Sequence, residues 1–256
     1  MNNANPPLRL TCLLALALTS CLGCGSQQDL TLFCGAGIRP AAVELVEEFN
    51  KTSDRKIECD FAGSEILLSR IKLSGQGDLY MPGDVHYVEQ AEEAGLMDAH
   101  STACYFVPVI LVQKGNPKNI QSLADLTRPE IEIGLGDPKA CAIGRKASRI
   151  FKKNDIDEEK LNVVFRSVTV NELGNHIKVG SLDAAIVWDA VAAYFPDDAE
   201  VVAIPTAENV ISTVALGVLE SSQHPETAAR FVDFVTSEAG QKIFAKHNYT
   251  VEPPGP

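Results

Sequence analysis

Short apolar runs alternate with amphipathic segments from residue 30 almost to the end of the chain, a strand–turn–helix rhythm that predicts an α/β fold with mainly parallel sheets. The first unit is "LTLFCGAGIRPAAVELVEEF". It reads as an apolar strand from Leu30 to Phe33, a turn of Gly35, Ala36 and Gly37, and a helix whose Val43, Leu45, Val46 and Phe49 lie near one face, with Glu44, Glu47 and Glu48 largely opposite. Pro40 suits a first helical turn, where its missing N–H costs nothing, and the glycines let the backbone come close to a neighbour. The product is a bare helix N-terminus with free amide donors, a ready place for an anion.

The device recurs. "KIECDFAGSEILLSRIKLSG" predicts a strand from Lys56 to Phe61, a small-residue turn, and a helix capped by Ser64 that runs through Ile66, Leu67 and Ile71. Two such units in succession put two helix N-termini at the carboxyl edge of one sheet, where open α/β sheets bind ligands. A third unit, "GDLYMPGDVHYVEQAEEAGLM", gives a strand around Asp78 to Met81, a Pro-Gly turn and a helix closed by Gly95. "ACYFVPVILVQKGNP" then reads as one long apolar strand, a crossover into a second lobe. In that lobe "IEIGLGDPKACAIGRKASRIFKKN" repeats strand, loop and helix, and "GSLDAAIVWDAVAAY" gives a strand ending at Trp188. "ENVISTVALGVLE" and the helices of "HPETAARFVDFVTSEAGQKIFAKHNY" carry no sign of a new domain and return to the first lobe.

Composition mainly excludes. A chain of 256 residues, 45% hydrophobic and 22% charged, buries a large core and is not disordered throughout. A net charge of −12 without any Lys/Arg-rich run argues against a nucleic-acid partner. Arg9 precedes the apolar run Leu10 to Leu18 and small residues follow, the form of an export signal spanning 1–24. "LTSC" resembles the lipobox of bacterial lipoproteins, with Cys21 as the lipidated residue and Cys24 of "CLGC" as a second candidate. The expected location is therefore periplasmic or extracytoplasmic, anchored to the membrane by lipid.

Disulfides persist in that compartment. Cys34, Cys59, Cys104 and Cys141 then support two readings, a bridge between Cys34 and Cys59 on neighbouring strands, or four small buried residues. None has the spacing of a zinc site. His86, His100, His176, His224 and His247 show no metal spacing and no attached carboxylate pattern and read as surface residues; Asp84 and Asp189 read as helix N-caps or first-turn residues.

The ordered series "CGAGIRP", "DFAGSEILLSRIKLSGQGDLYMPGD", "IGLGDPKACAIGRKASRIF" and "GSLDAAIVWDAVA" resembles the periplasmic molybdate-binding proteins of ABC importers, within the type II solute-binding proteins. The resemblance covers nearly everything from Leu30 to Tyr249. It implies a two-lobed type II periplasmic-binding-protein fold joined by crossover hinge strands, with lobe 1 at 29–107 and 205–256 and lobe 2 at 108–204. It also implies a bare oxyanion, molybdate or tungstate, held by hydroxyls and backbone amides, no cofactor, no catalysis, and delivery by a monomer to ABC permease subunits.

Carried over by position, Ser64 in "FAGS" stands where the family uses a hydroxyl donor. The other lobe-1 serine of the family falls on Gly37, which offers only its N–H. Ile143 stands where lobe 2 presents an amide, and the family's ligand tyrosine falls on Trp188, whose indole N–H is a donor only. Asp137 lies in the same lobe-2 loop, and Arg39 and Arg145 follow binding-type turns from which either could reach a dianion. Glu65 beside Ser64 would repel an anion; with Asp137 it could instead supply hard oxygens to a metal centre such as ferric iron. Alternatives left open are another oxyanion of the sulfate or phosphate type and, more distantly, a dinucleotide-binding enzyme, suggested by Gly35-x-Gly37 after a strand and Asp60 beyond it but lacking the third glycine, where Pro40 stands.

Overall fold

The computed structural model describes residues 1–2 and 29–255, so the export signal and its lipidation candidates Cys21 and Cys24 lie outside the described residues. Strand β1 (Leu30–Gly35) is buried at every position but Thr31, as a central strand covered on both faces requires. It passes through one 3-10 turn, Ala36–Ile38, into α1 (Arg39–Thr52). There follow β2 (Ile57–Ala62), α2 (Ser64–Ser74), β3 (Leu79–Met81), α3 (Val85–Glu93) and β4 (Ser101–Phe106). The second lobe is built from β5 (Pro108–Gln113), β6 (Ile133–Gly136), α4 (Ala142–Lys153), β7 (Val163–Ser167), α5 (Val170–Lys178), β8 (Ala184–Trp188), α6 (Asp189–Ala192) and β9 (Ala199–Ala203). The chain then returns through β10 (Ser212–Val218), α7 (Pro225–Thr236) and α8 (Glu238–Lys246).

Two five-stranded sheets result, ordered β2-β1-β3-β10-β4 and β7-β6-β8-β5-β9. In each, three strands run parallel and the crossover strands add antiparallel neighbours: β10 against β3 and β4, β5 against β8 and β9. The fold is thus two lobes of sheet flanked by helices. Amphipathic helices seal them; in α4, Ile143, Ala147, Ile150 and Phe151 are buried while Arg149 and Lys152 face water.

Three local expectations change. "ACYFVPVILVQ" is two strands in different sheets, parted at Val107, because Pro108 has no N–H for a ladder and the Val107 N–H is taken by Asp189 Oδ1 at 3.2 Å. The other crossing is tied to this one, since buried Asn209 donates through Nδ2 to Pro108 O at 2.8 Å. The N-cap of α2 is Gly63, in extended conformation (φ −65°, ψ 147°), and Ser64 is the first helical residue. Finally, His100 and His247 do meet carboxylates, Glu92 and Glu44 at 2.7 Å each, partners too distant in sequence to show as a pattern.

All four cysteines among the described residues are free thiols. Cys59 pairs in register with Leu32 and Cys34 with Phe61. That two-residue offset separates the two by about 8 Å at ordinary strand spacing and rise, beyond the usual reach of a disulfide. No helix among the described residues is long and apolar enough to cross a membrane.

Candidate functional site

The carboxyl ends of β1, β2, β6 and β7 all feed helices, and the turns between them meet in one cleft between the lobes. Its walls are Gly35, Ala36 and Gly37 from the first turn, Ala62, Gly63 and Ser64 from the second, and Gly83 and Phe106 from the rest of lobe 1. Lobe 2 contributes Cys141, Ala142, Ile143, Thr169, Val170 and Trp188. No Arg, Lys, His, Asp or Glu is among them.

The helix starts explain the chemistry. No side chain caps the 3-10 turn leading into α1, nor α2, α4 or α5. α3 is capped by Asp84 and α8 by Ser237, neither of them a wall residue, while α7, which is remote from the cleft, is also uncapped. First-turn amides have no partner inside their own helix. Four helix starts therefore present uncapped N–H groups and the positive ends of their dipoles to one small space.

Ser64 is buried, and its Oγ accepts the Gly83 N–H at 3.0 Å, which leaves the hydroxyl proton to donate. Trp188 is also buried and stacks flat on Phe106, ring centroids 4.7 Å apart at 4°. Its Cδ1, the atom next to the indole N–H, lies 3.1 Å from where a Cβ of residue 37 would sit, and Val170 Cγ1 lies at 3.0 Å. A side chain at residue 37 would press on the indole and on Val170, which would have to give way.

The wall thiol carries no charge: burial pushes Cys141 up to about 11, and its Sγ donates to Ser167 O at 3.6 Å. The cavity volume is about 20 Å³. One water needs roughly 10–15 Å³ and a drug-sized organic ligand several hundred, so the closed lobes suit a small ion.

Four sequence candidates, Gly37, Ser64, Ile143 and Trp188, are brought together on the cleft walls. The other four lie off them. Arg39 is exposed with its guanidinium 4.0 Å above the Phe61 ring. Asp137 serves its own turn, its carboxylate accepting Lys139 N–H at 2.8 Å and its carbonyl accepting the amides of Ala140 and Cys141 at 3.0 Å. Glu65 and Arg145 are half-buried outside the cavity; the Glu65 N–H crosses between lobes to Ala140 O at 3.2 Å. Sequence reasoning passed over Gly63, Gly83, Phe106, Thr169 and Val170. "RSVTVNELGNHI" carried the same strand–small-residue–helix signal that marked the other turns.

The lobes are closed. Besides the Glu65 contact, Asn171 Nδ2 in lobe 2 donates to Ala36 O at 3.3 Å. Tyr249 OH donates to Gly37 O at 2.7 Å and shares a 2.7 Å hydrogen bond with Tyr194 of lobe 2. The carbonyl of the first turn is thus held on its outer side.

Known proteins of similar sequence and shape agree with this architecture. The molybdate-binding protein ModA of Mycobacterium bovis is 28% identical over 224 residues, 87% of this chain and 84% of its own. The sulfate-binding protein SubI from Mycobacterium tuberculosis H37Rv aligns with a TM-score of 0.78 at 20% identity over 88% of each chain. The periplasmic molybdate-binding protein of Azotobacter vinelandii aligns with a TM-score of 0.71 at 14% identity, over 88% of this chain and 100% of that one. At such identities the two solved structures speak for the fold. The sequence profile of bacterial extracellular solute-binding proteins matches residues 30–250, nearly the whole chain, and the protein belongs to that family of binding proteins rather than to the enzymes.

Proposed function

We propose that this protein is the extracytoplasmic receptor of an ABC importer, that it binds molybdate or tungstate between its lobes, and that it delivers the ion to membrane permease subunits. The observation that carries the reading is the cleft itself: four uncapped helix starts and the Ser64 hydroxyl converge where no charged side chain stands. Fixed amide dipoles stabilise an anion without an ion pair. The net charge of −12 is no obstacle, because exposed charges are screened within about 8–10 Å. The similarity to ModA supports molybdate in particular.

In this reading Ser64 Oγ, the amides of Gly37 and Ile143, and the Trp188 indole N–H donate to the oxyanion. Ferric iron is disfavoured, since no carboxylate lines the cleft and no group of three or more metal-ligating side chains occurs among the described residues. The lobes, 29–107 with 205–256 and 108–204, open and close about the crossings at Val107 and near Asn209. A lipid on Cys21 or Cys24, the first residue left once the signal before it is removed, would keep the receptor, a monomer, at the membrane. No bond is made or broken.

Calorimetric titration of the ligand-stripped protein with molybdate, tungstate, sulfate, phosphate and ferric citrate tests this. Tight molybdate or tungstate binding, undiminished by excess sulfate and weakened by Ser64→Ala, is the expected result. Heat only from sulfate, phosphate or iron would overturn the ligand assignment.

A further inference from the structure

Directly behind the cleft wall lies a pair of buried charges that the ligand-binding reading does not use. Asp84 caps α3 in lobe 1, and Lys146 stands on the second turn of α4 in lobe 2. Their side chains are 4% and 6% exposed and in contact, so the ion pair bridges the lobes out of reach of water. The surrounding bonds are complete. Asp84 Oδ1 accepts the His86 N–H at 3.0 Å, Oδ2 accepts the Ser212 hydroxyl as well as the Lys146 ammonium, and Lys146 Nζ also donates to Ile211 O at 3.2 Å.

This cluster connects to the ligand site through one residue. Gly83, the neighbour of Asp84, gives its N–H to Ser64 Oγ at 3.0 Å, and its carbonyl accepts the Ser212 hydroxyl at 2.9 Å. A Cβ at Gly83 would lie 3.4 Å from Ala142 Cβ across the cleft, so the same residue is also a point of contact between the lobes. Pulling α4 away from α3 would separate Lys146 from Asp84 and leave unpaired the carboxylate that shares the Ser212 hydroxyl with the carbonyl of Gly83, the residue that bonds Ser64. Burial alone would raise the Asp84 carboxyl, but the Lys146 ammonium and the Ser212 and His86 bonds outweigh it and hold the group below the usual carboxylate range. It is therefore ionised when the lobes are shut, and it must keep its partner.

Building on the binding role proposed above, we propose that Asp84 and Lys146 are the latch of the closed state: positioning residues that hold the lobes together and set Ser64, and whose neutrality as a pair keeps a bare carboxylate from facing an anionic ligand. A buried charge stripped of its partner is strongly unfavourable, whereas removing both charges is far less so. The latch therefore predicts an order among variants. Lys146→Met and Asp84→Asn, each of which leaves one buried charge without its partner, are the worst, Asp84→Asn the less so because it keeps the cap and Ser212 contacts; Asp84→Asn/Lys146→Met, which removes both charges, recovers part of the loss.

Stopped-flow mixing with sodium molybdate, read by Trp188, the single tryptophan, gives the association and dissociation rates of the purified protein and these variants. The expected result is a dissociation rate raised at least tenfold in Lys146→Met with the association rate changed less than threefold, and partial return in the double variant. A merely structural role would lower the fraction of active protein and leave the dissociation rate of the remainder unchanged, and that outcome overturns the proposal. If Lys146→Met does not fold, Asp84→Asn carries the test, with a dissociation rate raised at least threefold expected and an unchanged one refuting. Small-angle X-ray scattering separates the two claims. If wild type gives no molybdate response, the ligand assignment fails; the latch still stands if the ligand-free variants are more expanded than wild type, and falls if their radii of gyration are equal.

Discussion

Closure of the cleft depends on residue 63 having no side chain, and Gly63→Ala is the sharpest perturbation available. Gly63 has φ −65° and ψ 147°, a conformation any residue adopts, so alanine meets no backbone strain. What it meets is lobe 2: its Cβ would stand 2.4 Å from Ala140 O and 2.5 Å from Val168 O, whereas real Cβ contacts essentially never fall below 3.0 Å. Both obstacles are backbone carbonyls at the starts of the lobe-2 binding loops and cannot rotate away. The second lobe must retreat by at least 0.6 Å, the gap between 2.4 and 3.0 Å. That retreat stretches the Glu65 N to Ala140 O bond from 3.2 Å past useful length. It also draws the Ile143 amide and the Trp188 indole back from the oxyanion. Each hydrogen bond to a charged group is worth about 1.5–3 kcal/mol, so losing both costs about 3–6 kcal/mol, or roughly two to four orders of magnitude in affinity. The lobes themselves should be spared, because Ala for Gly at an N-cap costs about 1 kcal/mol or less, a fall in Tm of a few degrees. Molybdate calorimetry together with thermal melting of the ligand-free variant decides the matter. Affinity within threefold of wild type would refute the reasoning that closure across Gly63 makes the site.

Other substitutions probe separate parts of the account. Trp188→Phe retains an aromatic ring against Phe106 but removes the indole N–H, and should weaken molybdate by about 10–150-fold, the worth of one charged hydrogen bond, with Tm within a few degrees of wild type; unchanged affinity would remove Trp188 from the ligand set. At the hinge, burial pushes the Asp189 carboxyl above its usual value near 3.8, against the bonds it accepts from Ala190 N–H, Val107 N–H and Thr250 Oγ1. Because the folded state then binds the proton more tightly than the unfolded chain, wild type gains stability as pH falls through the raised pKa toward 3.8. Asp189→Asn keeps an acceptor for Val107 and carries no charge, so it should melt no lower than wild type at pH 7, and any advantage should shrink toward pH 4. A difference that widens on acidification would contradict the assignment.

The parts of this molecule legible in the sequence are those in which a local pattern forces a local structure. A strand followed by Gly35-Ala36-Gly37 and then a helix leaves an uncapped N-terminus whatever surrounds it, and that turn lines the cleft; so does Gly63-Ser64, although there the sequence suggests Ser64 as a cap and the structure makes it the first helical residue. Charged residues misled for a related reason. Arg39, Glu65, Asp137 and Arg145 sit beside the right turns in sequence, but a side chain one residue along points elsewhere: Arg39 lies over Phe61, and Asp137 folds back on its own loop. What could not be read was contact across the lobes. The tightness at Gly63, the close approach of Trp188 to Gly37, and the pairing of Asp84 with Lys146 join residues dozens to more than a hundred positions apart. The apolar pattern around Val107 reads as one strand, since it does not reveal that its two halves belong to different sheets, and only the resemblance puts a boundary between 107 and 108.

The central claim is that an oxyanion sits among uncharged donors from both lobes. Anomalous diffraction at the molybdenum edge from crystals grown with molybdate tests it most directly. One strong peak in the cleft, within hydrogen-bonding range of oxygens held by Ser64 Oγ, the Gly37 and Ile143 amides and the Trp188 indole, is the predicted result. A peak elsewhere on the molecule, or an empty cleft in the presence of saturating molybdate, would contradict it.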